Sequence, residues 1–207
     1  MNKMKEKLVN YLSFQVSQLE DCGLYHGKLG VILSLFCHGK VRGDRRLCDF
    51  ATDMFQSPTH GYHEGDVGLE NGLAGLGLGI TLLYEAGMFH DDLNELLQEV
   101  DMKIMAIDPR RMTDHTFRSG ACGILYYIRR RLSLDQECVT LHKEFIRELE
   151  ENIRRDASLS AKCESFISSL EMPEWSIEEY LGHDAGLDNG SSFFLIQDYY
   201  DKIFSHQ

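Results

Sequence analysis

The stretch GLENGLAGLGLGITLLY, residues 68–84, decides the fold. Gly68 and Gly72 stand four apart, Gly75, Gly77 and Gly79 follow, and from Asn71 to Tyr84 there is no charge. A helix with no polar face has to be covered on all sides. Gly72, Gly75 and Gly79 fall at i, i+3 and i+7, on one helical face. Each glycine costs about 1 kcal/mol of helix propensity relative to alanine, and close approach of another backbone is the usual reason to accept that cost. The stretch predicts an inner helix packed tightly against others like it.

Stretches of the same form recur along the chain. Gly23-Leu24-Tyr25-His26-Gly27-Lys28-Leu29-Gly30 feeds the apolar run 31–36. Thr116-Phe117-Arg118-Ser119-Gly120-Ala121-Cys122-Gly123 repeats the motif with its first glycine lost and feeds the run 124–128. Gly186-Leu187-Asp188-Asn189-Gly190 opens a fourth copy, in which Ser191-Ser192-Phe193 replaces the second half and 194–203 reads as the last inner helix. The starts at 23, 68, 116 and 186 give intervals of 45, 48 and 70. The first two intervals suit a repeat of helical hairpins. The third needs an inserted element, which residues 157–181, with Pro173 and the single Trp175, supply as one or two short helices.

Between the motifs lie amphipathic patterns. Met4, Leu8, Leu12, Val16 and Leu19 predict a helix over 3–20. Leu47, Phe50, Ala51, Met54 and Phe55 predict an outer helix over 44–56, ended by Ser57-Pro58. Leu93, Leu96, Leu97, Val100 and Ile104 form a third face, capped by Asp91 or Asp92 and broken by Asp108-Pro109. Val139, Phe145, Ile146, Leu149 and Ile153 form a fourth. Arg129-Arg130-Arg131 suits the negative end of an inner helix. No alternating β-branched run is present. The fold class is therefore all-α, a single domain over residues 1–207 of helical hairpins with glycine-rich inner-helix starts. An open solenoid and an α/α toroid both fit; crowding of helix starts near an axis favours a toroid or a partial one.

The bulk numbers narrow the partners. The 207 residues carry a formal charge of −12 and 43% apolar residues. An acidic chain is a poor match for a nucleic-acid backbone or an anionic membrane surface, and would suit a basic peptide. The longest uncharged run is too short to span a bilayer, and no apolar signal core follows the N-terminal lysines. These features predict a cytoplasmic protein. The six cysteines show no CxxC and read as reduced, mostly buried thiols.

The motifs Gly23–Gly30 and Gly68–Gly77 resemble the repeats of lanthionine synthetase C-like proteins, with a likeness that extends over about residues 20–200 through four copies rather than the family's seven. The resemblance implies an α/α toroid. It also implies zinc-activated chemistry on a precursor peptide, in which a cysteine thiolate adds to a dehydrated serine or threonine and closes a thioether ring. The family's zinc is held by two cysteines and a histidine. Where an adjacent Cys-His pair is implied, this chain has Tyr25-His26. Where a cysteine two before a repeat glycine is implied, it has Arg118, and the other copies have Tyr25, Glu70 and Asp188. The reading is therefore of no metal site and no resident cofactor. Cys37-His38 and His60-x-x-His63-Glu64 stand as the remaining zinc candidates, each short of the three ligands and open position a catalytic zinc needs.

The resemblance also gives His26 a proton-handling role, for which an imidazole is the natural group; the alternative is that it hydrogen-bonds a loop carbonyl. The residue before the second motif glycine is His26, Asn71, Ser119 and Asn189 in turn. In a ring these would face one mouth beside positive helix N-termini, with Glu70, Asp188 and Arg118 next to them. His26 is the candidate catalytic residue. Asn71, Arg118, Ser119, Asn189, Glu70 and Asp188 are the candidate substrate-binding residues, although Asn and Ser at these places also suit simple N-caps. Three functions compete. One is modification or handling of a ribosomally made precursor peptide. The second is a non-enzymatic scaffold for a partner protein. The third is a sugar-processing toroid, which needs two carboxylates across a cleft, with Glu70 and Asp188 the only rim pair on offer. A partial toroid would leave an apolar side uncovered, which predicts a homodimer.

Overall fold

A computed structural model describes residues 3–56, 66–135, 138–155, 165–197 and 199–204. Among them there are helices and turns and no strand. The helices are α1 (Lys3–Gln15), α2 (Lys28–Arg42), α3 (Arg45–Gln56), α4 (Leu73–Glu85), α5 (Leu93–Met105), α6 (Ala121–Leu134), α7 (Lys143–Arg154), α8 (Phe193–Ile196) and α9 (Tyr200–Phe204). Tight 3-10 turns lie at Pro109–Arg111, Ile167–Ser169 and Ile177–Gly182. None of the described helices is long and apolar enough to cross a membrane.

The chain divides into two compact units. One comprises Met1–Gly61, Leu82–His90 and Leu170–Gln207; the other comprises Tyr62–Thr81 and Asp91–Ser169. In the first unit, α2 is an inner helix, buried without interruption from Lys28 to Gly39. Its outer partner α3 buries only Ala51 fully, with Leu47, Phe50, Met54 and Phe55 half-buried beside it. The hairpin between them turns on Gly43, at φ 68, whose N–H closes on the last carbonyls of α2. That backbone conformation favours glycine.

In the second unit, α6 is the inner helix and α7 the outer one, which buries Phe145, Leu149 and Asn152. Asn152 donates to the carbonyls of Pro109 and Met112, both at 2.8 Å, and so fastens α7 to the preceding turn. In α4 every residue from Leu73 to Leu83 except Leu76 is buried, as an uncharged helix requires.

The motif glycines make room chiefly for their own loop. A side-chain carbon on Gly30, Gly75 or Gly123 would overlap the carbonyl oxygen of Leu24, Leu69 or Phe117, six residues earlier. One on Gly27, Gly72 or Gly120 would strike the main chain or carboxylate of Asp21, Asp66 or Asp114. The chain entering each inner helix thus folds back over the helix's first turn. Gly77 serves a helix contact instead, with the Tyr127 ring filling the space a side chain would need.

Several boundaries differ from the sequence reading. α1 ends at Gln15, because the Ser17 hydroxyl takes the Phe14 carbonyl at 2.8 Å and the backbone tightens to i→i+3 bonds. The expected last inner helix over 194–203 is broken into α8 and α9; Tyr199 N–H reaches back three residues to Ile196 rather than four. Leu96 is 39% exposed and Val139 is 89% exposed, so neither belongs to the faces assigned to them. The described part of the inserted segment, from 165 on, forms 3-10 turns, and Trp175 stacks on His183 at 3.9 Å.

Arg131 lies in the last turn of α6, as its place in the sequence suggested, but is completely buried, with its Nε 3.7 Å from Asp101, also fully buried. Asp101 accepts from Tyr127 at 2.5 Å and from Thr140 at 3.0 Å, and Arg131 donates to Asn94 at 2.5 Å. Burial raises the Asp101 carboxyl above its ordinary range, against the lowering effect of these donors. The network joins α5, α6 and the segment before α7.

Two stability predictions follow from this packing. Gly75→Ala is expected to destabilise by about 1–3 kcal/mol, because backbone must move to admit the methyl group, whereas Gly182→Ala, with open space around it, should shift urea-unfolding midpoints little. Arg131→Met strands the Asp101 carboxylate and should cost about 3–5 kcal/mol by the same measurement; a loss under about 1 kcal/mol would contradict the buried pair.

Candidate functional site

Each inner-helix start is a strapped loop. The Asp66 carboxylate accepts the Gly68 N–H at 2.8 Å, and its carbonyl accepts the Leu73 N–H at 3.1 Å. Asp21 does the same for Gly23 (2.6 Å) and Lys28 (2.7 Å), and Asp114 for Thr116 (2.8 Å) and Ala121 (2.9 Å). Asp184 keeps the main-chain half, accepting Ser191 N–H at 2.7 Å. An aspartate therefore stands two before every motif start. The sequence reading passed over this feature, although the spacing was there to be read.

The loops then meet in pairs. In the first unit the fourth copy docks on the first: Leu187 and Asp188 both donate their N–H to the Tyr25 carbonyl, at 2.7 and 3.0 Å. Gly186 lies so close to His26 that a side-chain carbon would sit 2.8 Å from its Cα. In the second unit the second copy docks on the third in the same way, with Leu69 and Glu70 donating to the Arg118 carbonyl at 2.8 and 2.9 Å and Gly68 lying against Ser119. Both docking copies carry glycine at the motif start. The third copy, which receives, has Thr116 there.

This docking brings acidic side chains to defined neighbours. Asp188 is 5% exposed and His26 is 37% exposed, with Nε2 3.6 Å from the Asp188 Oδ2. The other Asp188 oxygen accepts the Glu171 N–H at 2.7 Å, which fixes the carboxylate. Glu70 and Arg118 form the corresponding pair in the second unit, 3.0 Å apart and both about one-quarter exposed.

The remaining candidates fall outside these pairs. Asn71 and Asn189 are exposed. Asn189 has φ 49, a left-handed position that asparagine tolerates, and its N–H bonds Glu171 O. Ser119 donates its hydroxyl to Asp114 at 2.6 Å. The helix N-caps of α2 and α6 are Gly27 and Gly120, so His26 and Ser119 are not caps.

Cys37 is completely buried and its thiol is pushed well above the ordinary range by desolvation. His38, beside it, packs edge-on to Tyr199 at 4.9 Å, and desolvation lowers its pKa to about 4. His60, His63 and Glu64 lie outside the described residues. The described cysteines, Cys22, Cys37, Cys48, Cys122 and Cys138, are free thiols.

The family model for lanthionine synthetase C-like protein matches residues 6–187, which takes in the first three motif copies and the start of the fourth. Neither the curated proteins nor the solved structures compared with the chain match it.

Asp188→Ala removes the acceptor of the Glu171 N–H and the neighbour of His26. Stability should fall by about 1–3 kcal/mol, the cost of an unsatisfied buried donor. Exposed Asn71→Ala should change it by less than about 0.5 kcal/mol, both read from urea unfolding.

Proposed function

The chain belongs to the lanthionine synthetase C-like family, an α/α-toroid family, and from that premise we propose that it binds and handles a ribosomally made precursor peptide without performing zinc-dependent ring closure. The observation that carries this reading is the His26–Asp188 pair. It is a half-exposed imidazole held against a nearly buried carboxylate that the Glu171 N–H anchors, at the entry of an inner helix. Such a pair can accept a hydrogen bond from a peptide amide or hydroxyl, or donate one, and can hold a proton at Nε2.

The thiolate donors of the family's zinc are missing from the positions where the resemblance implies them. A catalytic zinc needs anionic or neutral donors converging on one point. Where the resemblance implies thiolates, this chain has Tyr25, completely buried, and Arg118, a cation paired with Glu70. Cys37 lies fully buried within α2, away from any inner-helix entry. No step is therefore assigned to a metal. The chain's contribution is recognition: the positive ends of the inner helices attract acceptor groups, and the His26–Asp188 pair orients one of them.

The test uses a dehydrated, cysteine-containing precursor peptide of the kind the family modifies, with added zinc, and reads both binding and the number of alkylatable thiols. Binding is expected, with no thiol lost, and His26→Ala should weaken it by about tenfold, near 1.4 kcal/mol. Loss of thiols catalysed by this chain would contradict the non-catalytic reading. Absence of binding would contradict the peptide role and leave the scaffold alternative.

A further inference from the structure

Residues 40–46 read Lys-Val-Arg-Gly-Asp-Arg-Arg, four cations against one acid in a chain of net charge −12. In the fold this stretch is the end of α2, the Gly43 turn and the start of α3. It borders a cleft of 560 Å³ in the first unit, lined among others by Phe36, Lys40, Arg45, Asp49, Met88 and His90. That volume lies in the range of small-ligand sites. Phe36 is buried and Met88 half-buried, and they supply an apolar floor, while Lys40, Arg45 and His90 are exposed at the rim.

The charges at this rim are uncompensated. Among the described residues neither Lys40 nor Arg45 forms an ion pair, and neither do the exposed Arg42 and Arg46 of the same turn. Among the described residues Asp49 is the one acid lining the cleft. An arginine fork and a lysine point charge above an apolar floor are complementary to carboxylates carried beside apolar side chains.

We propose that this cleft binds an acidic, apolar segment of the handled peptide, its carboxylates on Lys40 and Arg45 and an apolar side chain on Phe36 and Met88. The proposal rests on the peptide-handling reading and assigns that peptide a second point of attachment, apart from His26. The cleft is open rather than enclosed, which suits a chain segment lying across it. Linking two weak contacts on one peptide raises overall affinity without new contacts.

The probes are acetyl-Glu-Phe-Glu-Leu-Glu-amide and its all-glutamine counterpart, titrated by calorimetry. The acidic peptide is expected to bind about tenfold tighter, and to weaken when salt rises from about 50 to about 500 mM. Lys40→Gln and Arg45→Gln should each cut its affinity several-fold, with circular dichroism unchanged because both positions are exposed. If Arg45→Gln disturbs the α2–α3 turn, Lys40→Gln alone carries the test.

Equal binding of the two peptides, or unchanged affinity in the double variant, overturns the proposal. Displacement of the acidic peptide by inorganic phosphate at equal concentration would assign the cleft to a phosphate ligand and overturn it as well. With the full precursor peptide, binding lost on His26→Ala but unaffected by the Lys40/Arg45 double variant sinks the cleft alone. Binding of the short acidic probe with no binding of the precursor sinks the peptide-handling reading instead.

Discussion

Two N–H groups on one carbonyl oxygen organise each pair of motif loops. Leu187 and Asp188 converge on Tyr25, and Leu69 and Glu70 converge on Arg118. A carbonyl has two lone pairs, and here both are used by successive residues of the docking loop. That geometry fixes which side chain emerges next: an acid, Asp188 or Glu70, beside the residue at the head of the partner loop. The His26–Asp188 and Arg118–Glu70 neighbours are thus consequences of main-chain docking rather than of side-chain attraction. The exposed parts of these pairs would contribute little on their own.

The docking in turn depends on close approach. Gly186 and Gly68 lie against the backbone of His26 and Ser119, where a β-carbon would not fit. Each loop is itself held over its helix start by an aspartate strap and by glycines that leave room for a carbonyl oxygen. The motif is therefore a self-contained loop–helix joint that accepts histidine, asparagine or serine before its second glycine, with a left-handed backbone at Asn189 in the fourth copy.

Much of the fold was legible because its signals are local. Glycine spacing, uncharged runs and amphipathic faces located the inner and outer helices, and Asp92 caps α5 as its position suggested. The reason for the glycines was not legible. They looked like contacts between helices, but most face the preceding loop of the same motif, since a period of 3.6 says which face a residue occupies and nothing about what covers it. The pairing of Asp101 with Arg131 was not legible, because charge in an amphipathic pattern is normally solvated and only tertiary structure shows two such groups buried together. For the site, His26 and Asp188 were both marked as rim residues, but their contact was hidden because 162 positions separate them. The straps at Asp21, Asp66, Asp114 and Asp184 repeat in register and went unread, since a carboxylate before a glycine turn has so many uses.

The paired-loop architecture is tested most directly by amide hydrogen exchange at Leu69, Glu70, Leu187 and Asp188. These amides sit in irregular loops, where exchange is fast unless a specific acceptor holds them. The account predicts strong protection at all four, comparable with the first turns of α2 and α6. Exchange at the rate of an unstructured loop at Leu187 and Asp188 would contradict it, because the fourth motif would then not be docked on Tyr25 and Asp188 would have no fixed relation to His26.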